Sequence, residues 1–275
     1  MNPWLETVGV VLVALLGVLL GIVFSRFRKA YWTVGYFLSL LLIAMLVATR
    51  CAGSLAFVPP FFWITAGRVK FVVFSLAVTI GLTTPLSRLP RKFEKVAVCI
   101  LMVMVVVWFS VLPFLVPALI RGYLTNLTTR VDSNGICFQS TDYTCGPAAA
   151  VTALRKLGLS AHEGELAVLS HTSPVAGTLP WCLYTALQNR YGAEGLRCQY
   201  RRFDSVGQLK HAGVTLVVVR DTFLSDHCVA VLEVSDRRVT VADPVLGKKS
   251  LSYKQFEKIW RFTGIALNRD SMQSI

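Results

Sequence analysis

The sequence predicts a transmembrane helical region over residues 1–125, followed by an α+β domain over residues 126–275. Three observations predict this. The 275 residues are 54% hydrophobic, with a mean hydropathy of +0.58, more apolar than a soluble domain of this length needs. The excess lies before residue 121, in stretches of about 20 apolar residues, the length that crosses a hydrocarbon layer. Behind them, helix-like segments come first and strand-like segments follow, the order of an α+β domain.

Four spans are expected, at about Leu5–Phe24, Tyr31–Thr49, Gly67–Leu86 and Val96–Ile120. The third is the shortest in apolar content. Arg68 and Lys70 stand at its start, and such long cations reach back to the headgroups. Phe57-Val-Pro-Pro-Phe-Phe-Trp63 suits the membrane interface, since paired prolines break a helix and aromatics favour that depth. The first span lacks a basic segment before it, and a second follows almost at once, so an uncleaved helix is expected rather than a signal peptide.

Charge sets the orientation. Residues 1–120 carry ten Lys and Arg against two acids, Glu6 and Glu94, for a net +8. Residues 121–275 carry eighteen against thirteen, for a net +5. Arg26, Arg28 and Lys29 in the first loop, and Arg88, Arg91, Lys92 and Lys95 in the third, favour the cytoplasmic side. Arg50, Arg68 and Lys70 between them weaken the contrast. Four spans then place both chain ends outside. This gives a multi-pass protein of the inner (cytoplasmic) membrane, with its α+β domain on the periplasmic or extracellular side. The basic excess is a topology signal, and no basic patch is interleaved with stacking aromatics, so no nucleic-acid partner is expected.

In the rear part a helix is expected from Cys145 to about Leu157, opened by Gly146-Pro147 and stopped by Gly158. Ser160 and Glu163 have the spacing of a capping box for a second helix, to about Leu169. Thr178 can cap a third, Leu179 to Arg190. Strands follow at Gly195–Tyr200, Thr215–Arg220, His227–Val234, Arg238–Ala242 and Thr263–Leu267, with a hairpin at Ser235–Arg238. Ser252 and Gln255 form another capping box, for a helix to about Trp260.

Seven cysteines are present. Cys145 stands at a helix start after polar residues, where orphan amide groups favour a thiolate. A lone cysteine there is compatible with a structural thiol as well as with a nucleophile. A nucleophile needs a base and a group that orients the base. His227 opens an apolar strand after the polar turn Leu224-Ser225-Asp226, and Asp243 ends the next strand. A hairpin brings the two close, with the carboxylate holding one ring nitrogen and aiming the other at Cys145. Asp243-Pro244 is equally a common turn opening. Gln139, six residues before Cys145, can offer its amide to an oxyanion, with the Cys145 N–H as second donor.

Together these residues carry a resemblance. The string Gln139-Ser-Thr-Asp-Tyr-Thr-Cys145-Gly-Pro-Ala-Ala-Ala, with His227-Cys-Val-Ala-Val and Asp243-Pro-Val-Leu-Gly247, resembles the C39 family of cysteine peptidases from about Gln139 to Asn268. The resemblance implies a papain-like fold, a peptide or protein substrate and no cofactor. It implies Cys145 as nucleophile, His227 as base, Asp243 as its orienting partner and Gln139 as oxyanion donor. It also implies cleavage after a Gly-Gly pair, as in the leader peptidases fused to bacteriocin exporters. The sequence departs from those exporters. It has no Gly-x-x-x-x-Gly-Lys-Ser/Thr phosphate loop, and its peptidase-like part follows the spans instead of preceding them.

The expected function is hydrolysis of exported or membrane-associated peptides, with the lipid bilayer and a transporter or other membrane protein as partners. Rival readings are a thiol acyltransferase or amidase, and a non-catalytic peptide-binding sensor or scaffold. Cys137, Cys182, Cys198 and Cys228 are even in number, which fits two disulfides in an oxidising space. They lack CxxC spacing, and His162, His171 and His211 are scattered, so no metal is expected.

Overall fold

Among the described residues, four helices are long and apolar enough to cross a membrane: Trp4–Ser25, Thr33–Cys51, Val69–Arg88 and Lys92–Leu119. The computed structural model describes residues 3–27, 32–52, 54–65, 67–222 and 225–269. Arg28 and Lys29 of the basic first loop, Tyr31 and Leu224 lie outside the described residues. The chain divides into two compact units, Met1–Leu119 and Ile120–Ile275.

The front unit contains α1 (Pro3–Ser25), α2 (Thr33–Cys51), α3 (Phe61–Thr65), α4 (Val69–Thr83), α5 (Lys92–Val106) and α6 (Leu112–Leu119). Gly17 and Gly21, one turn apart on α1, face Thr79 and Thr83 on α4, and a Cβ at either glycine would run into those side chains. Small residues at this contact let the two helix backbones approach closely. A π-helical turn, Val107–Val111, separates α5 from α6. Pro113 follows it, and a proline inside a helix removes a donor and crowds the preceding turn.

Arg68 differs from the sequence expectation. Its side chain is 10% exposed and pairs with Glu6 of α1, while its guanidinium lies 4.8 Å over the Phe114 ring. A carboxylate and an aromatic face give this long cation partners where it stands.

The rear unit runs α7 (Arg121–Thr125), β1 (Arg130–Val131), β2 (Cys137–Phe138), α8 (Cys145–Lys156), α9 (Glu163–Leu169), α10 (Pro180–Tyr191), β3 (Leu196–Arg202), α11 (Val206–Lys210), β4 (Val214–Arg220), β5 (Asp226–Val234), β6 (Arg238–Asp243), β7 (Gly247–Ser252), α12 (Tyr253–Ile259) and β8 (Trp260–Arg269). Six strands form one sheet in the order β3-β8-β4-β5-β6-β7, antiparallel throughout. Alternating residues of the central strands face two cores. Leu216, Ala230 and Ala242 pack with Ala148, Ala149, Leu154 and Leu187 of the helices. Val217, Val229 and Val231 pack with Phe203, Phe256 and Trp260 on the other face. Burial on both faces explains why β4 reads as a continuous apolar run.

The Ser252–Gln255 capping box forms as the sequence predicts. The Ser160–Glu163 box does not. His162 precedes the first residue of α9, and the Glu163 carboxylate is taken by Ser140 instead. Thr178 does not cap α10; its hydroxyl lies 2.7 Å from that of Thr172. The β1–β2 hairpin, α11 and β7 carry too little apolar pattern to be read from sequence. None of the seven cysteines is in a disulfide, so neither bridge suggested by the even cysteine count is formed.

The Glu6–Arg68 pair yields a stability prediction. Glu6→Ala leaves a buried guanidinium without its counter-charge and should destabilise the front unit by about 3 kcal/mol. Thermal melting in detergent should show this loss, and Glu6→Ala with Arg68→Met should recover most of it.

Candidate active site

Cys145 is the first residue of α8, and the whole front of that helix is inside the protein. Gly146 through Leu154 are buried. Ala148, Ala149, Ala150 and Ala153 have no exposed surface, so their small side chains let the helix lie close on the sheet. Gly146 is required by packing, because a Cβ there would stand 2.8 Å from the Thr178 side chain.

The sheet supplies the partners. His227 is the second residue of β5 and Asp243 the last of β6. Ala230 pairs with Ala242, so the ladder brings Asp243 diagonal to His227 on the same face. His227 Nε2 lies 2.9 Å from Asp243 Oδ1. The same oxygen accepts the N–H groups of Val245 at 2.9 Å and Leu246 at 3.4 Å, which fixes the carboxylate in a turn. Lys249 Nζ stands 3.8 Å from the other oxygen. With donors gathered around the carboxylate, the Nε2 proton points at Asp243. Cys145 lies close enough to the ring to favour its charged form. Arg261 holds Asp226, the residue before His227, through two bonds of 2.8 and 2.9 Å.

Three of the four residues singled out by sequence therefore meet. Gln139 lies beside them. Its N–H donates to the Pro244 carbonyl at 3.0 Å, tying the segment before α8 to the turn after Asp243. Its side-chain Oε1 is buried without a partner. An open depression of about 400 Å³ is lined by Arg130, Phe138, the 139–142 turn and Pro244–Val245. Lys249, Arg261 and Glu163 were missed by sequence reasoning. Lys249 lies in a strand with no apolar signal, and Arg261 reaches Asp226 across a separation of 35 residues.

The chain matches the model of the peptidase C39 family over residues 133–273. It belongs to the peptidase C39 family. The papain-like α+β fold of this family is that of the rear unit. An uncharacterized protein of Methanothermobacter marburgensis is 36% identical over 129 residues, covering 47% of this chain and 83% of that protein. Another, from Methanothermobacter thermautotrophicus, is 31% identical over 141 residues, covering 51% and 92%. Among solved structures, the peptidase domain of Streptococcus ComA is 19% identical, covering 48% of this chain and 96% of that one, with a TM-score of 0.43. A double glycine motif protease from an AMS/PCAT transporter, solved with the leader peptide, is 16% identical, covering 53% and 96%, with a TM-score of 0.40.

The electrostatics of this C39 chain favour charge on the His227–Asp243 pair and oppose it on three buried thiols. Burial opposes a charge on His227. The hydrogen bonds to Asp243 and Cys145, and the charges of both, outweigh it and push the imidazole from 6.5 up to about 9. Burial also works against the Asp243 charge, but the His227 bond, the Val245 and Leu246 amides and the imidazolium charge hold it below its usual 3.8. Burial pushes Cys137 and Cys198 up to about 12. Cys228 is raised by burial and by the nearby Cys145 charge. These three stay protonated at neutral pH.

The pair's contribution to stability is complete between the two ordinary values. It is lost as pH rises through about 9, where His227 deprotonates, and as pH falls through the depressed Asp243 value. Activity that needs the imidazolium should show an alkaline limb in kcat/KM near pH 9. Asp243→Asn removes one bond and one charge that favour the imidazolium, so a pH–rate profile should show the limb moved towards lower pH.

Proposed function

We propose that this chain is a membrane-embedded cysteine peptidase that hydrolyses exported or membrane-associated peptides. The observation that carries this reading is the meeting of the Cys145 thiol with an imidazole already oriented by Asp243. Cys145 attacks the scissile carbonyl as a thiolate, and His227 keeps the proton. The Gln139 side-chain amide holds the oxyanion together with the Cys145 N–H, which has no carbonyl within α8 to bond. His227 then protonates the leaving amine, the C–N bond breaks and an acyl-enzyme forms. Water, deprotonated by His227, releases the acid and restores the thiol. Every step uses side chains of this chain, and no cofactor enters.

The four apolar helices would confine this chemistry to one bilayer face, and the basic loops favour the periplasmic or extracellular face. Such confinement favours substrates arriving from a transporter or tethered in the bilayer. A preference for Gly-Gly before the cleaved bond accords with the family. A fully charged Asp243–His227 pair beside a thiol argues against a mere peptide binder, which needs no base.

The test compares peptide termini in cells producing the native chain and Cys145→Ala. The native chain should generate a discrete set of new N-termini that the variant lacks, with the uncut precursors accumulating in the variant. Identical termini in both would overturn the peptidase reading, and products capped by an amine in place of water would make the chain an acyltransferase.

A further inference from the structure

Glu163, the first residue of α9, has no exposed surface, and the hydrolytic steps do not use it. A carboxylate in a core is costly unless it is paired or hydrogen-bonded. Both of its oxygens are occupied by one residue: Oε1 accepts the Ser140 N–H at 2.8 Å, and Oε2 lies 2.7 Å from Ser140 Oγ. Ser140 Oγ also lies 3.0 Å from the Thr128 carbonyl. The Glu163 N–H donates to Thr129 Oγ1 at 2.9 Å. A Cβ at the next residue, Gly164, would run into the Leu124 carbonyl, so the first turn of α9 is wedged against α7. The carboxylate therefore stands on a fixed base.

Ser140 directly follows Gln139. The Gln139 side chain has no bond at Oε1, so nothing at that oxygen sets its direction. Its direction comes from its backbone, which is pinned at two places. The Gln139 N–H is tied to Pro244, and the following peptide is tied to Glu163. The Gln139 carbonyl receives only a long contact of 3.4 Å from Arg130 Nη2.

We propose that Glu163 is a positioning residue for turnover: it clamps the Ser140 backbone and thereby aims the Gln139 side-chain amide at the oxyanion. The assignment rests on the peptidase reading. It makes α9 part of the active-site support, through the carboxylate that sequence spacing assigns to a helix cap.

The test uses the full chain in detergent and a positional-scanning library of N-acetyl-tetrapeptidyl aminocoumarins. Glu163→Gln keeps the shape but sets an amide NH2 against one of the two Ser140 donors. It should lower kcat roughly 10- to 100-fold, the range for a misplaced oxyanion donor, with KM changed less than about two-fold. Alkylation of Cys145 by iodoacetamide should keep its native rate, because displacement at a saturated carbon forms no oxyanion. In a Gln139→Ala background the same substitution should cost less than about two-fold more, since both changes act through one amide. Additive losses, or a fall in alkylation matching the fall in kcat, overturn the assignment. Should Glu163→Gln fail to fold by thermal melting, Ser140→Ala removes one of the two bonds and must show the same pattern at a roughly 2- to 10-fold loss. A native chain that turns over nothing in the library overturns the peptidase reading and the assignment with it, whereas native turnover with additive losses removes the assignment alone.

Discussion

The close packing of α8 on the sheet is the constraint from which the site follows. A thiol from the first residue of a helix and an imidazole from a strand more than eighty positions later meet only if helix and sheet approach closely. The alanines at 148, 149, 150 and 153, all without exposed surface, permit that approach. Larger side chains there would lift the helix and its terminal thiol away from β5, and overpacking a dense core is itself costly. Ala230 and Ala242 serve the same end from the sheet side. The motif around Cys145 is thus a packing device as much as a chemical one.

The charges are arranged around that contact in a line. Lys249 and two backbone amides hold Asp243, Asp243 holds one ring nitrogen of His227, and Cys145 lies close enough to the ring to favour its charge. His227 and Asp243 each favour the charged form of the other. The opposite influence, burial, is felt by His227 and Asp243, and it is the stronger force on Cys137, Cys198 and Cys228. On the proposed mechanism, Cys145 differs from these thiols through the imidazole beside it.

Much of this was legible in the sequence, and the reasons are specific. The apolar lengths marked the four long front helices, because crossing a bilayer takes about 20 apolar residues. The helix beginning at Cys145 was marked by Gly146-Pro147, and the β5–β6 hairpin by Ser235–Arg238, so the meeting of His227 with Asp243 followed from antiparallel geometry. The rest depends on contacts across the fold. Glu163 has the spacing of a helix cap, and local pattern gives no hint that Ser140, 23 positions earlier, takes its carboxylate. Arg68 beside a span looked like a residue reaching to headgroups, because its partner Glu6 lies on another helix. β7 carries lysines and alternates weakly; it is a strand because β6 presents an edge to it.

The contact between thiol and imidazole is most directly tested by the rate at which Cys145 is alkylated by iodoacetamide at neutral pH, followed by mass spectrometry in the native chain and in His227→Ala. The native thiol should react at least about tenfold faster than the variant's, because the imidazole takes its proton. Equal rates in the two proteins would mean that the ring does not act on the sulfur, which would contradict a thiol activated by His227.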